Sequence, residues 1–202
     1  QGGHPSSGLQ HIFGKDDRVN DYCGRFPLAG TQSSGGAQMS FSGGLIDNVA
    51  SLGSAQQWGY DASWPQSTVA ARALQTPSGF PKLDLVAFPY HHALLTLTDR
   101  NALRMQIRMH ALALQKTFGS LRAPTRGLFP PEMSFTERVI PLLEELGLEW
   151  VIVSNSHISR ACSDYPFSVS GDNIDPPNKA DQINPAQGGR YFQMSVSRGV
   201  TP

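Results

Sequence analysis

The sequence predicts an α/β fold organised on parallel strands, and three observations carry that expectation. Leu83-Asp84-Leu85-Val86-Ala87-Phe88 is an almost unbroken apolar run of strand length, the pattern of a strand covered on both faces. Glu149-Trp150-Val151-Ile152-Val153-Ser154-Asn155 is a second such run. Segments with apolar residues at helical spacing separate the runs, and the order strand, helix, strand, helix, strand favours parallel pairing through crossovers.

Taken from the start, Gln1 to about Ala37 is rich in Gly, Ser, Asp and Pro, which predicts loops with one helical turn near Asp16 to Tyr22. His4 and His11 lie here and read as surface or structural histidines. Gln38-Met39-Ser40-Phe41-Ser42 alternates polar and apolar side chains as a short strand does. Leu45, Ile46, Val49 and Leu52 then follow helical spacing up to Gly53. Trp58, Tyr60 and Trp64 crowd the next loop, where aromatic rings either stack on sugars or anchor packing; packing is the commoner use. Thr68 to Leu74 predicts a short helix, and a Pro-Ser-Gly-Phe-Pro turn leads into the run at Leu83.

That run ends in Pro89-Tyr90-His91-His92. Adjacent histidines leave an extended or turning backbone in different directions, so they rarely chelate one metal together. From Asp99 or Arg100 to about Thr117, Leu103, Met105, Ile107, Met109, Leu112 and Leu114 recur near helical spacing, with Phe118-Gly119 as the stop. Gly127-Leu128-Phe129 predicts a strand halted by Pro130-Pro131, since proline cannot donate to a sheet ladder and forces extended backbone before it. Glu132 therefore stands at a strand end. Ser134 with Glu137 three residues later predicts a capping box opening a helix that runs through Leu142, Leu143 and Leu146 to Gly147, with Pro141 kinking its interior. Beyond His157, residues 163–189 form a long loop with little periodicity, and Arg190 to Val196 alternates like one more strand.

Composition narrows the partners. The chain has 202 residues, sixteen basic and sixteen acidic, with 16% charged residues, 20 Gly and 15 Pro. It is expected to fold as one domain over residues 1–202, or as a fragment of a larger one, with long ordered loops. With zero formal net charge and no basic run, neither nucleic acid nor an anionic membrane is an expected partner. No apolar run reaches the roughly eighteen residues that span a bilayer, so a soluble protein is expected, cytoplasmic or secreted after processing. Opening on Gln1 and ending on Pro202 without a helix stop predicts excision at both ends. Cys23 and Cys162 show no CxxC spacing, which leaves one disulfide, two buried thiols or reactive groups open, with free, buried thiols the favoured reading.

The chemistry-bearing residues collect after strands: His91 and His92, then Glu132, then Asn155 and His157. In parallel α/β folds the carboxyl ends of strands gather at one face, where ligands bind. A lone carboxylate beside histidines and amides suits nucleophilic or acid/base work better than a transition-metal site. No metal site and no cofactor is therefore expected. A helix-terminal carboxylate favoured by the macrodipole is the plain alternative for Glu132. No GxSxG elbow, Walker loop or GxGxxG is present.

Gly127-Leu128-Phe129-Pro130-Pro131-Glu132 resembles the G-x-W-x-P-E segment of glycoside hydrolase family 57, with Phe129 in place of tryptophan. Pro89-Tyr90-His91-His92-Ala93-Leu94-Leu95 is similar to that family's segment in which a strand end meets a histidine and a leucine-rich turn. The likeness extends over roughly Gln38 to Asn155. It implies an incomplete (β/α)7-type barrel, or part of one, acting on α-glucans as a retaining hydrolase or glucanotransferase. By the same resemblance Glu132 is the nucleophile, His92 holds the sugar at the reacting subsite, and the substrate is an oligo- or polysaccharide. His91, Phe129, Asn155 and His157 are the further substrate-binding candidates. A retaining mechanism also needs a second carboxyl about 5–5.5 Å away, for which Asp164, Asp172, Asp175 and Asp181 qualify by position only. The alternatives are a non-catalytic carbohydrate-binding or assembly protein on the same fold, and a polysaccharide deacetylase-like metalloenzyme, whose ligand motifs are not recognisable here.

Overall fold

The computed structural model describes residues 10, 13–14, 17–32, 34–119, 125–154 and 157. His4, His11, Asn155, Cys162, the four candidate aspartates, the loop 163–189 and the expected strand Arg190 to Val196 lie outside them. The chain divides into two compact units, Gln1–Ala93 with Asp99–Thr125, and Leu94–Thr98 with Arg126–Pro202.

In the first unit a π-helical segment, Asp17–Arg25, leads into α1 (Phe26–Ala29), then β1 (Ala37–Met39), α2 (Gly43–Ser54), α3 (Gln66–Ala73), β2 (Leu83–Leu85) and α4 (Arg100–Phe118). β1 and β2 pair in parallel, Ala37 opposite Leu83 and Met39 opposite Leu85. Val86 carries the ladder one step further by donating to the Met39 carbonyl at 2.9 Å. The ladder is shorter than the apolar run, yet burial persists from Leu85 through Pro89.

Two of the helices in this unit, α2 and α4, begin where a side chain satisfies open amides. Ser42 accepts from the Leu45 N–H, and Asp99 accepts from the N–H groups of Asn101 and Ala102. Phe41, Ile46, Leu85, Ala113, Leu114 and Phe118 form a core that joins both strand ends to α2 and α4. Each large side chain buried there contributes about 1.5–3 kcal/mol. The loop aromatics take the packing role: Trp64 meets Phe118 edge-on, and buried Tyr60 donates its hydroxyl to the Phe13 carbonyl. At the polar edge, Asp84 on β2 accepts from the Thr125 hydroxyl and lies 3.7 Å from the Arg72 guanidinium.

The second unit repeats the parallel theme with β3 (Gly127–Leu128) and β4 (Trp150–Val151), Gly127 opposite Trp150 and Leu128 opposite Val151. Gly127 is required there, because a Cβ would come within 1.9 Å of the Trp150 indole. Between the strands run two 3-10 turns, Pro131–Met133 and Glu137–Val139, and α5 (Ile140–Glu145). Leu95 is fully buried in this unit, and Arg138 donates to the Thr96 carbonyl.

The helix expected from Ser134 starts later than its spacing predicts. Ser134 does not cap a helix; its hydroxyl is spent on the Thr96 hydroxyl at 2.6 Å, and Thr136 is still extended at φ −150°, ψ 147°. Helical structure begins only at Glu137. Pro141 consequently falls in the first turn of α5 rather than inside a longer helix, where its missing N–H costs nothing and no kink results. Gly147 ends the segment in the left-handed region at φ +72°, as expected of a C′ glycine. No helix among the described residues is long and apolar enough to cross a membrane.

Candidate functional site

Glu132 is delivered by a turn rather than by a helix. Met133 N–H donates to the Pro130 carbonyl and Ser134 N–H to the Pro131 carbonyl, each at 2.9 Å. Inside this double turn Glu132 sits at φ 54°, ψ 22° and Met133 at φ 50°. Left-handed backbone is the natural place for glycine, and a side chain held there costs on the order of 1–2 kcal/mol. Two consecutive non-glycine residues in that region mark a segment over-determined by its surroundings, as functional sites are. Pro130 and Pro131 are buried while Glu132 is exposed. The turn is thus anchored by its prolines and lifts the carboxylate out. Phe129, half-buried, lies between the strand and the turn.

Further along this unit, His157 is half-buried and uses both ring nitrogens internally. Nε2 donates to the Phe135 carbonyl at 3.3 Å, so in the neutral ring Nδ1 is the nitrogen that accepts from the Ser154 hydroxyl at 3.1 Å. The ring ties the end of the β4 segment to the residues following Glu132.

In the first unit the two histidines diverge, as adjacent residues on a turn do. His92 takes a left-handed backbone at φ 60° and packs its exposed ring against Phe88, centroids 5.2 Å apart. His91 is also exposed and meets the Tyr90 ring edge-on at 4.6 Å. The loop that carries them is clamped from below. Gly44 N–H donates to the Tyr90 carbonyl, Tyr90 N–H to the Gln106 carbonyl, and the Tyr90 hydroxyl to the Asp47 carboxylate. That carboxylate, together with burial, raises the Tyr90 phenol above its ordinary value.

Two residues that matter to this loop escaped the sequence reading, His110 and Gln106, both on α4. His110 is 1% exposed. Its Nδ1 accepts from the Phe88 N–H at 3.2 Å and its Nε2 donates to the Phe41 carbonyl at 2.7 Å. One neutral imidazole therefore bolts together the chain just past β1 and β2. Burial pushes its pKa down, and the Phe41 hydrogen bond offsets this only in part. The signal was available: Leu103, Ile107, His110 and Leu114 share the buried helix face at four-three-four spacing. Among the described residues no group of three His, Cys, Asp or Glu side chains could hold a metal ion.

Residues 72–175, just over half the chain, match the family model described as Glycosyl hydrolase family 57. The chain belongs to glycosyl hydrolase family 57. This family 57 chain is 32% identical over 165 residues to an Alpha-amylase of Niallia circulans, an alignment covering 77% of the chain and 13% of that relative. Its fold is similar to that of a 4-alpha-glucanotransferase from Thermococcus litoralis, with a TM-score of 0.57 at 15% identity, over 84% of the chain and 25% of the solved one. The chain thus spans a small part of the length of each, and its described residues form an α/β arrangement with parallel strands.

Proposed function

We propose that this family 57 chain carries the nucleophile of a retaining α-glucan hydrolase or glucanotransferase, with Glu132 as that nucleophile. The observation that supports it is the Glu132 turn: a carboxylate kept at a backbone position suited to glycine, directly after a parallel strand and a pair of buried prolines. Selection for stability alone would favour glycine there. The α-amylase relative supports an α-glucan as the substrate class, and the fold is taken to be an incomplete (β/α)7-type barrel or part of one.

In this mechanism the Glu132 carboxylate attacks the anomeric carbon while a second carboxyl protonates the departing glycosidic oxygen. The glycosyl ester is then opened by water, or by a sugar hydroxyl in transfer, as the second group takes back a proton. His91, His92 and Phe129 are proposed to hold the sugar, the imidazoles through hydrogen bonds to hydroxyls and the ring through stacking. Asn155 is proposed as a further hydroxyl contact. His157, whose nitrogens are engaged within the protein, is assigned to holding the Phe135 segment.

The test is Glu132→Gln assayed on maltooligosaccharides, with the anomer of the product followed by NMR. Turnover lost by at least about a thousandfold with binding kept, and retained configuration in the unsubstituted protein, is the expected result. Unchanged turnover in the variant overturns it.

A further inference from the structure

His91 and Gln106 share two hydrogen bonds whose directions are fixed by chemistry. The His91 backbone N–H can only donate, and it donates to Gln106 Oε1 at 2.7 Å. The amide oxygen is therefore committed to the backbone, which turns Nε2 of the same amide toward the imidazole, 3.1 Å from His91 Nδ1. An amide nitrogen only donates. Nδ1 must then be the bare, accepting nitrogen, and in the neutral ring the proton must sit on Nε2. Gln106 is held for this task by its place on α4, where its own carbonyl receives the Tyr90 N–H at 3.2 Å. The exposed edge of His91 is left with one polar group, an N–H.

We infer that Gln106 is a positioning residue that locks His91 as a hydrogen-bond donor, so that the loop after β2 offers an Nε2–H to an acceptor oxygen of the glucan. This rests on the assignment of His91 to sugar binding. It specifies the partner atom: an oxygen with a free lone pair, either a hydroxyl acting as acceptor or a glycosidic or ring oxygen. His110 obeys the same logic four residues along the helix, its Nδ1 accepting a backbone N–H and its Nε2 donating. The His110 ring is buried and its donated bond stays inside the core, whereas the His91 side chain is exposed.

The experiment is long-range proton–nitrogen NMR on the 15N-histidine-labelled protein at about pH 8, above the ordinary imidazole range, together with maltooligosaccharide titration. In the unsubstituted protein His91 is expected to show a bare Nδ1 and a protonated Nε2. Gln106→Glu keeps the length of the side chain but replaces the amide nitrogen with an acceptor, so the His91 proton is expected to move to Nδ1. The His110 signals, which depend on Phe41 and Phe88, should stay where they were and report an intact fold. Affinity for the oligosaccharide should fall roughly three- to tenfold, the weight of one net hydrogen bond, and Gln106→Glu should add nothing in a His91→Ala background. An unmoved tautomer with intact His110 signals overturns the inference. So does an inverted tautomer with unchanged affinity while His91→Ala weakens binding. If the tautomer inverts but neither His91→Ala nor Gln106→Glu alters affinity, the assignment of His91 to sugar binding falls, and the donor role falls with it.

Discussion

The ring of Tyr90 lies directly against the α-carbon of Gly43 at the start of α2. A Cβ added to Gly43 would come within 2.0 Å of Tyr90 Cδ2. The glycine therefore serves close approach, not backbone freedom. It lets the aromatic ring cover the first turn of the helix while the Tyr90 hydroxyl reaches Asp47 one turn on. Because Tyr90 is bonded covalently to His91, this contact sets where the histidine loop leaves β2.

Gly43→Ala should force the ring away and break the Asp47 bond, destabilising the protein by about 1–3 kcal/mol. Tyr90→Phe keeps the ring and loses only the hydroxyl, and should cost less, about 0.5–1.5 kcal/mol. Urea unfolding midpoints measure both, and equal losses would show that the ring contact is not what requires glycine.

Glu132→Gly should separate stability from activity. Glycine relieves the left-handed backbone but adds freedom to the unfolded chain, so the net change is expected between zero and about 1 kcal/mol in favour of the fold. Turnover of an α-glucan should vanish in the same protein. A melting temperature held or raised alongside lost activity is the expected pair; a clearly lowered one would mean the carboxylate is structural.

His110 should make stability depend on pH in one direction. Burial depresses its pKa in the folded state, so the unfolded chain binds the proton more readily. Stability rises with pH wherever the unfolded state holds more protons. The His110 contribution is thus fully present above the ordinary imidazole value near 6.5 and is lost as pH falls toward the lower folded value. His110→Leu should flatten that slope. It should also destabilise at all pH, by about 2–5 kcal/mol, since the buried Phe88 N–H and Phe41 carbonyl lose their partner together. Denaturant titrations from pH 5 to 8, compared between the two proteins, test this.

Cys23 is a free, buried thiol whose pKa burial pushes up to about 11. Thiolate is the reactive form, so Cys23 should resist iodoacetamide at neutral pH in the folded protein and react readily once urea unfolds it. Peptide mapping after alkylation reads the site directly. Ready labelling of Cys23 in the native state would contradict the burial.

The local elements were legible because their signals are local. Apolar spacing anticipated α2 and α4 to within a residue or two, Gly147 announced the end of α5, and the double proline announced the end of β3. The residues 127–132 and 89–95 also pointed to the family. The capping box failed for a reason sequence spacing does not contain: the Ser134 hydroxyl finds Thr96, 38 residues earlier, before it can serve a helix.

The amino-acid order by itself determined the α/β class, the places where strands stop, and the family, since propensity, proline geometry and motif spacing act over a few neighbouring residues. Only the tertiary structure decided that Glu132 stands in left-handed backbone, that His110 joins Phe41 to Phe88 across 69 and 22 residues, and that Gln106 dictates which nitrogen of His91 carries the proton. Those outcomes depend on which donors and acceptors the folded chain brings within 3 Å or so of each other, and contacts between distant residues leave no periodic trace in the order of side chains.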